Sequence, residues 1–295
     1  MAILKHVAGK SADYGAALDY LKYEHDEVLK RPLLDANGNW VLRRDILLEG
    51  INCEPELFDV ECEMLNAQYH KNQNYDEIKT HHYLISFDPA DKDECGLTGE
   101  QAQAIGMEYV KANFPGHQAL VCTHMDGHNG SGNIHVHIVI NSLRKLDVPQ
   151  QPFMERPIDC KAGYKHHLTK DYLKHLQQSL MNICMRESLN QVDLLSPSVN
   201  KITQQEYYAK QRGQINLDKL NAELIAEGFT PMKTKFQTEK DKLRDSITAA
   251  AKKAKSFEEF SRLLQTESNI LVKDHRGRFS YLLPDREKYI SARTL

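Results

Sequence analysis

The sequence contains no run of about 18 consecutive apolar residues, which excludes a helical membrane span of ordinary length. Its opening stretch, MAILKHVAGKSADY, has only a short apolar run, without a signal-peptide core or cleavage site. The expected compartment is therefore the cytoplasm, with no membrane partner. There is no CxxC among the six cysteines (53, 62, 95, 122, 160 and 184), so these are expected to be buried thiols rather than a zinc knuckle or a disulfide frame. Internal repeats and low-complexity segments are also missing. An overall positive charge is lacking too: the net charge is −3. That deficit is uneven. Residues 1–142 hold 11 Lys/Arg against 22 Asp/Glu, whereas residues 143–295 hold 27 against 19. A basic second half is compatible with phosphate contacts, although charge alone fits an ordinary solvated helical region equally well.

What is present is a soluble-type composition, 41% hydrophobic and 27% charged over 295 residues, enough for one large core or two smaller ones. Hydrophobic spacing predicts a strand at Ala2–Val7 and a helix at Tyr14–Tyr23, with Ser11 or Asp13 near its N-cap. Residues 31–50 read as irregular, with an Asn37–Gly38 turn. A helix at Phe58–Tyr69 and a strand at His82–Phe87 follow. Thr98 with Gln101 forms a capping box that opens a helix to about Asn113. Gln118–His124 and Ile134–Asn141 read as two strands. A long helix carries the stripe Leu173, Leu176, Leu180, Ile183. Helices at about 217–228, 237–254 and 256–266 then precede strands at Ile270–Val272 and Phe279–Leu282, joined by the basic turn DHRGR. The expected division is 1–216, with a helical extension from about 150, and a small basic helix-and-hairpin module over 217–295.

The chemistry concentrates in THMDGHNGSGNIHVHIVINS, residues 123–142. Alternate residues of a strand share a face, so His135, His137, Val139 and Asn141 point one way and Ile134, Val136, Ile138 and Ile140 the other. The β-branched side is expected to bury, leaving the histidine side open to something polar. A hairpin through residues 126–133 returns His124 beside the pair. Three imidazoles then converge, a donor set suited to a divalent metal with positions left for water or a phosphate oxygen. His128, in the connecting loop, is expected to be a bystander.

This stretch resembles the relaxase/mobilisation nuclease family, whose H-x-D and H-x-H-x-x-x-N elements correspond here to His124, Asp126, His135, His137 and Asn141. ALDYLKYEHDE supplies a tyrosine early in the chain, and HHYLISFDP resembles the family's central strand. The likeness covers roughly the first two hundred residues at motif level. In overall look it is nearest to relaxases of Gram-positive conjugative transposons. It implies an α+β fold, a central antiparallel sheet flanked by helices of the HUH-endonuclease kind, with a helical extension and a small C-terminal αβ module. The stop after Arg293–Thr294–Leu295, in a family of commonly longer proteins, suggests a catalytic fragment.

The resemblance further implies a bacterial cytoplasmic enzyme that nicks origin-of-transfer DNA at a specific site and strand and then rejoins it. The cofactor would be a divalent ion, manganese or magnesium foremost, with zinc, nickel or cobalt able to occupy the site in a crystal. Tyr20 is the implied nucleophile, with Tyr23 and Tyr14 as competitors. Asp126 is the first candidate for accepting its proton, ahead of His25 and His82. Partners would be single-stranded or hairpin origin DNA, an accessory relaxosome protein and a type IV secretion coupling protein. Candidate DNA contacts are Arg144, Lys145, Lys161, Lys165, His166, His167 and Arg278, with the Gly277–Phe279 turn offering charge beside an aromatic. A rolling-circle initiator or single-strand transposase would use the same groups, and a non-catalytic DNA-binding protein with a structural metal is the reading from another class. A histidine-triad hydrolase fits poorly, because Ile138 to Ile140 follow the pair where a third histidine should stand.

Overall fold

The computed structural model describes residues 2–11, 13–26, 31–125, 133–196 and 202–295, with Gln204 described by its backbone only. The chain divides into two compact units, Met1–Pro197 and Ser198–Leu295. The boundary expected at 216/217 falls inside a helix of the second unit (Gln204–Ala226), which runs through a polar stretch that hydrophobic spacing does not mark as continuous.

The first unit is α+β. Its strands are β1 (Ile3–Gly9), β2 (His25–Asp26), β3 (Arg31–Pro32), β4 (Ile46–Ile51), β5 (Thr80–Ser86), β6 (His117–His124) and β7 (His135–Arg144). Five of them form one antiparallel sheet in the order β1-β5-β7-β6-β4, while β2 and β3 pair separately. Strand β4 lies in the region expected to be irregular. Its sequence, ILLEGI, does not alternate, because β4 is a half-buried edge strand whose pairing with β6 rather than its own pattern makes it a strand.

The unit's helices are α1 (Gly15–Lys22), α2 (Phe58–Tyr69), α3 (Pro89–Asp93), α4 (Gly99–Asn113) and α5 (Lys170–Arg186). The Asp13 carboxylate accepts from the Ala16 amide at 3.0 Å and secures the start of α1. Thr98 and Gln101 form the expected reciprocal capping box on α4. On α5 the buried stripe is Tyr172, Leu176, Leu180, Ile183 and Cys184, with Leu173 half-buried at its edge.

Two apolar layers enclose the sheet. Ile134, Val136, Ile138 and Ile140 pack with Val121, Tyr83 and Ile85 against residues of α4 and α5. On the other face, Leu120, Cys122 and Val139 pack with Leu18 and Leu21 of α1 and Phe58 and Cys62 of α2. The histidine face is therefore covered rather than open, which corrects the expectation. The sheet is a middle layer, and β6 and β7 are buried along their whole length.

The second unit comprises α6 (Gln204–Ala226), α7 (Glu239–Lys253), α8 (Phe257–Ser268) and the strands β8 (Leu271–His275), β9 (Arg278–Leu282) and β10 (Ile290–Ser291). The strands form a sheet in the order β10-β9-β8. Arg276 and Gly277 both have positive φ (56° and 75°), the geometry of a two-residue primed hairpin turn. Its small core contains Leu243, Ala250, Leu264, Ile270 and Tyr281. Among the described residues no helix is long and apolar enough to cross a membrane.

Candidate metal centre

The register of β6 and β7 places His124 directly opposite His135, and Cys122 opposite His137. Directly opposed residues share a sheet face, so all three imidazoles project together. Each offers a ligand atom, and these atoms lie within 4.8 Å of one another. Ring centroids are separated by 4.5 Å (His124–His137), 4.9 Å (His135–His137) and 5.1 Å (His124–His135). All three residues are at most 1% exposed.

The surrounding contacts orient the rings. Nε2 of His124 is 2.9 Å from the carbonyl oxygen of Leu21, and Nδ1 of His135 is 3.2 Å from that of Asn133. A carbonyl oxygen only accepts, so the ring nitrogen facing it carries a proton, and in the neutral ring the lone pair falls on the opposite nitrogen. Nδ1 of His137 meets Nε2 of His82 at 2.8 Å. The opposite nitrogens, Nδ1 of His124 and Nε2 of His135 and His137, are all buried. This donor set fits a divalent transition ion: three imidazoles converge, each able to offer a lone pair in its neutral form, with outer partners that fix their direction.

Of the three tyrosines, the structure brings Tyr20 to the trio. Its half-buried ring lies 5.6 Å from that of His137, 6.0 Å from His82 and 5.2 Å from His25, centroid to centroid. On α1, Leu18 and Leu21 face the sheet and turn Tyr20 toward the histidines. Tyr23 ends the helix and packs edge-on against Trp40 at 5.3 Å. Tyr14 is buried, and its hydroxyl accepts from the Asn66 amide at 2.7 Å. Burial pushes the Tyr14 phenol up to about 12, with the Asn66 hydrogen bond opposing in part.

Asp126 and His128 lie outside the described residues. His25 places Nδ1 2.9 Å from the Tyr23 carbonyl oxygen. His82 is held neutral, lowered to about 4 by burial and secondarily by Lys5 and His6. Asn141, the last residue of the motif, donates from Nδ2 to Gln118 Oε1 at 3.0 Å and takes no part in the trio; Gln118 in turn donates to Glu61.

The candidate DNA contacts scatter. Arg144 is only 3% exposed and donates from Nε to the Asp159 carbonyl oxygen at 2.9 Å, so it is an internal residue and not a surface phosphate contact. The alternation of β7 buries it against the α5 layer, a placement its position just past the metal motif did not reveal. Lys145 pairs with Glu61 at 2.7 Å, Lys161 with Asp147 at 3.2 Å and Lys165 with Glu77 at 2.7 Å. His166 is buried against the Tyr83 hydroxyl at 2.8 Å, and half-exposed His167 lies 3.5 Å from Asp159. In the second unit Arg276 and Arg278 are exposed. Phe279 instead packs into that unit's core, stacked on Phe257 at 5.3 Å, so it is not an open stacking platform.

Residues 41–149, which include all three histidines, match the family model described as relaxase, MobA/VirD2-like, nuclease domain. That segment is similar to a relaxase nuclease domain. The chain is also similar to proteins called rlx from Staphylococcus aureus. One is 26% identical over 257 residues, 87% of this chain and 66% of the relative; another is 20% identical over 246 residues, 83% of this chain and 61% of the relative. The chain thus spans no more than about two thirds of the length of these relatives. Among solved structures it is similar to the conjugative relaxase TrwC in complex with oriT DNA in its metal-bound form, with a TM-score of 0.35 and 13% identity over 90% of this chain and 98% of that one.

Proposed function

We propose that this chain is the nicking and joining part of a conjugative relaxase, acting on one strand of origin-of-transfer DNA. The observation that carries this reading is the cross-strand pairing of His124 with His135, which gathers three oriented imidazoles beside Tyr20. His124, His135 and His137 would hold a divalent ion, and three imidazole donors suit manganese better than magnesium. Once bound, such an ion supplies positive charge to a non-bridging phosphate oxygen and lowers the barrier to nucleophilic attack.

The protein's own groups do the rest. Tyr20 Oη forms a bond to phosphorus as the bond to the departing 3′ oxygen breaks, giving a 5′-phosphotyrosine and, after protonation, a 3′-hydroxyl. Reversal rejoins the strand, because the covalent link preserves the phosphodiester's bond energy. Asp126, two residues beyond His124, remains the proposed proton acceptor. Burial of the trio limits competing water. The second unit would contribute phosphate contacts through Arg276 and Arg278, exposed at its hairpin. An accessory relaxosome protein and a secretion coupling protein are proposed from the family resemblance, as is the bacterial cytoplasm as the site of action.

The test is cleavage of labelled single-stranded origin oligonucleotides with manganese. A denaturant-stable protein–DNA adduct is expected, lost with EDTA and in His135→Ala, with DNA binding largely retained in the variant. Cleavage that persists in EDTA would refute the metal reading. A Tyr20→Phe protein that still forms the adduct would refute the tyrosine reading, and no adduct from the wild type would favour a non-catalytic role for the site.

A further inference from the structure

His82 lies on β5 directly opposite Val139 of β7, on the sheet face that carries His135 and His137. Its Nε2 is 2.8 Å from Nδ1 of His137, and the two ring centroids are 5.0 Å apart. Two proton arrangements satisfy this contact. If Nε2 of His82 donates, neutral His137 carries its own proton on Nε2, the nitrogen on the side of the trio, and has no lone pair there for an ion. If Nδ1 of His137 donates, His82 accepts with Nε2 and keeps its proton on Nδ1. Nε2 of His137 then presents a lone pair beside His124 and His135. Only the second arrangement suits metal binding.

We infer that His82 is a positioning residue for the metal centre, selecting the metal-binding tautomer of His137 by accepting the proton on its Nδ1. The Leu21 and Asn133 carbonyl oxygens do the same for His124 and His135. His137 differs because its partner is a side chain that could hold the proton either way, so this ligand depends on the identity of residue 82. The inference rests on the metal-dependent reading above. An outer partner of this kind typically changes metal affinity 10–100-fold.

The experiment uses the full chain, free-manganese titration by electron paramagnetic resonance, and nitrogen-15 NMR of the imidazoles in the metal-free protein. Wild type is expected to show His137 protonated on Nδ1 and to bind manganese. His82→Leu should bind about 10–100-fold more weakly. His82→Gln, whose amide oxygen can accept the same proton, should recover most of the loss. Wild-type manganese affinity in His82→Leu, or a His137 proton on Nε2 in the wild type, overturns the inference while leaving the metal centre standing. Failure of the wild type to bind manganese, or unchanged binding in His137→Ala, overturns the metal reading and this inference with it. The tautomer measurement needs no variant and stands even if His82→Leu folds poorly.

Discussion

Nε2 of His124 lies 2.9 Å from the carbonyl oxygen of Leu21, and Leu21 is the residue that follows Tyr20. One hydrogen bond therefore ties the helix bearing the proposed nucleophile to a proposed metal ligand. Both partners are fully buried, so water cannot replace either. His124→Ala should cost about 1–3 kcal/mol of stability, the penalty for stranding a buried carbonyl. The check is urea denaturation in EDTA, which removes any contribution from a bound ion. An unchanged midpoint would show that this link does not hold α1.

Tyr14 and Tyr20 should separate cleanly. Tyr14→Phe removes the acceptor of the Asn66 and Asn72 amides and should lower stability by about 1–2 kcal/mol while the DNA adduct still forms. Tyr20→Phe should abolish the adduct. Denaturation and gel-resolved adduct assays on the two variants check both halves.

Much of this was legible in the sequence because it rests on short-range periodicity. Alternation along residues 134–141 put His135 and His137 on one face, and the hairpin distance returned His124 beside them. The Thr98–Gln101 capping box was readable for the same local reason. Strand β4 was not, since an edge strand borrows its structure from β6. Nor was the cover over the histidine face, because Phe58 and Cys62 of α2 arrive from more than sixty positions away in sequence. Arg144 shows the limit from the other side. Its charge suggested DNA, and only the layering of the sheet reveals that it is internal.

Acid should destabilise the first unit. Burial lowers both His81 and His117 to about 3, with the neighbouring charges of His6 and Arg144 respectively adding to the shift, and His166 falls well below its ordinary value for the same reason. The unfolded chain takes up these protons near pH 6.5, whereas the folded state refuses them until much lower pH. Stability from each histidine is thus complete above about pH 6.5 and declines as pH falls toward 3, by about 1.4 kcal/mol per pH unit per histidine. Denaturant midpoints between pH 7.5 and 4.5 should show this slope, and His81→Leu should flatten it. A pH-independent midpoint would contradict the assignment.

Basic residues should divide into internal and DNA-facing sets. Arg144→Met should change stability, because it alters a buried residue that bonds to Asp159. Arg276→Ala and Arg278→Ala should leave stability within about 0.5 kcal/mol. Each of these two should reduce the salt dependence of single-stranded DNA binding by about one unit of slope. Fluorescence anisotropy at several salt concentrations, beside thermal melts, distinguishes the two sets.

The proposed chemistry requires three imidazoles to hold an ion where Tyr20 can attack a phosphate. Its most direct test is mass mapping of the peptide left attached to DNA after manganese-dependent reaction with an origin oligonucleotide. The oligonucleotide is expected on the peptide containing Tyr20, with no adduct from His124→Ala, His135→Ala or His137→Ala protein. Attachment at Tyr14, Tyr23 or any other residue, or an adduct that forms without the histidines, would contradict it.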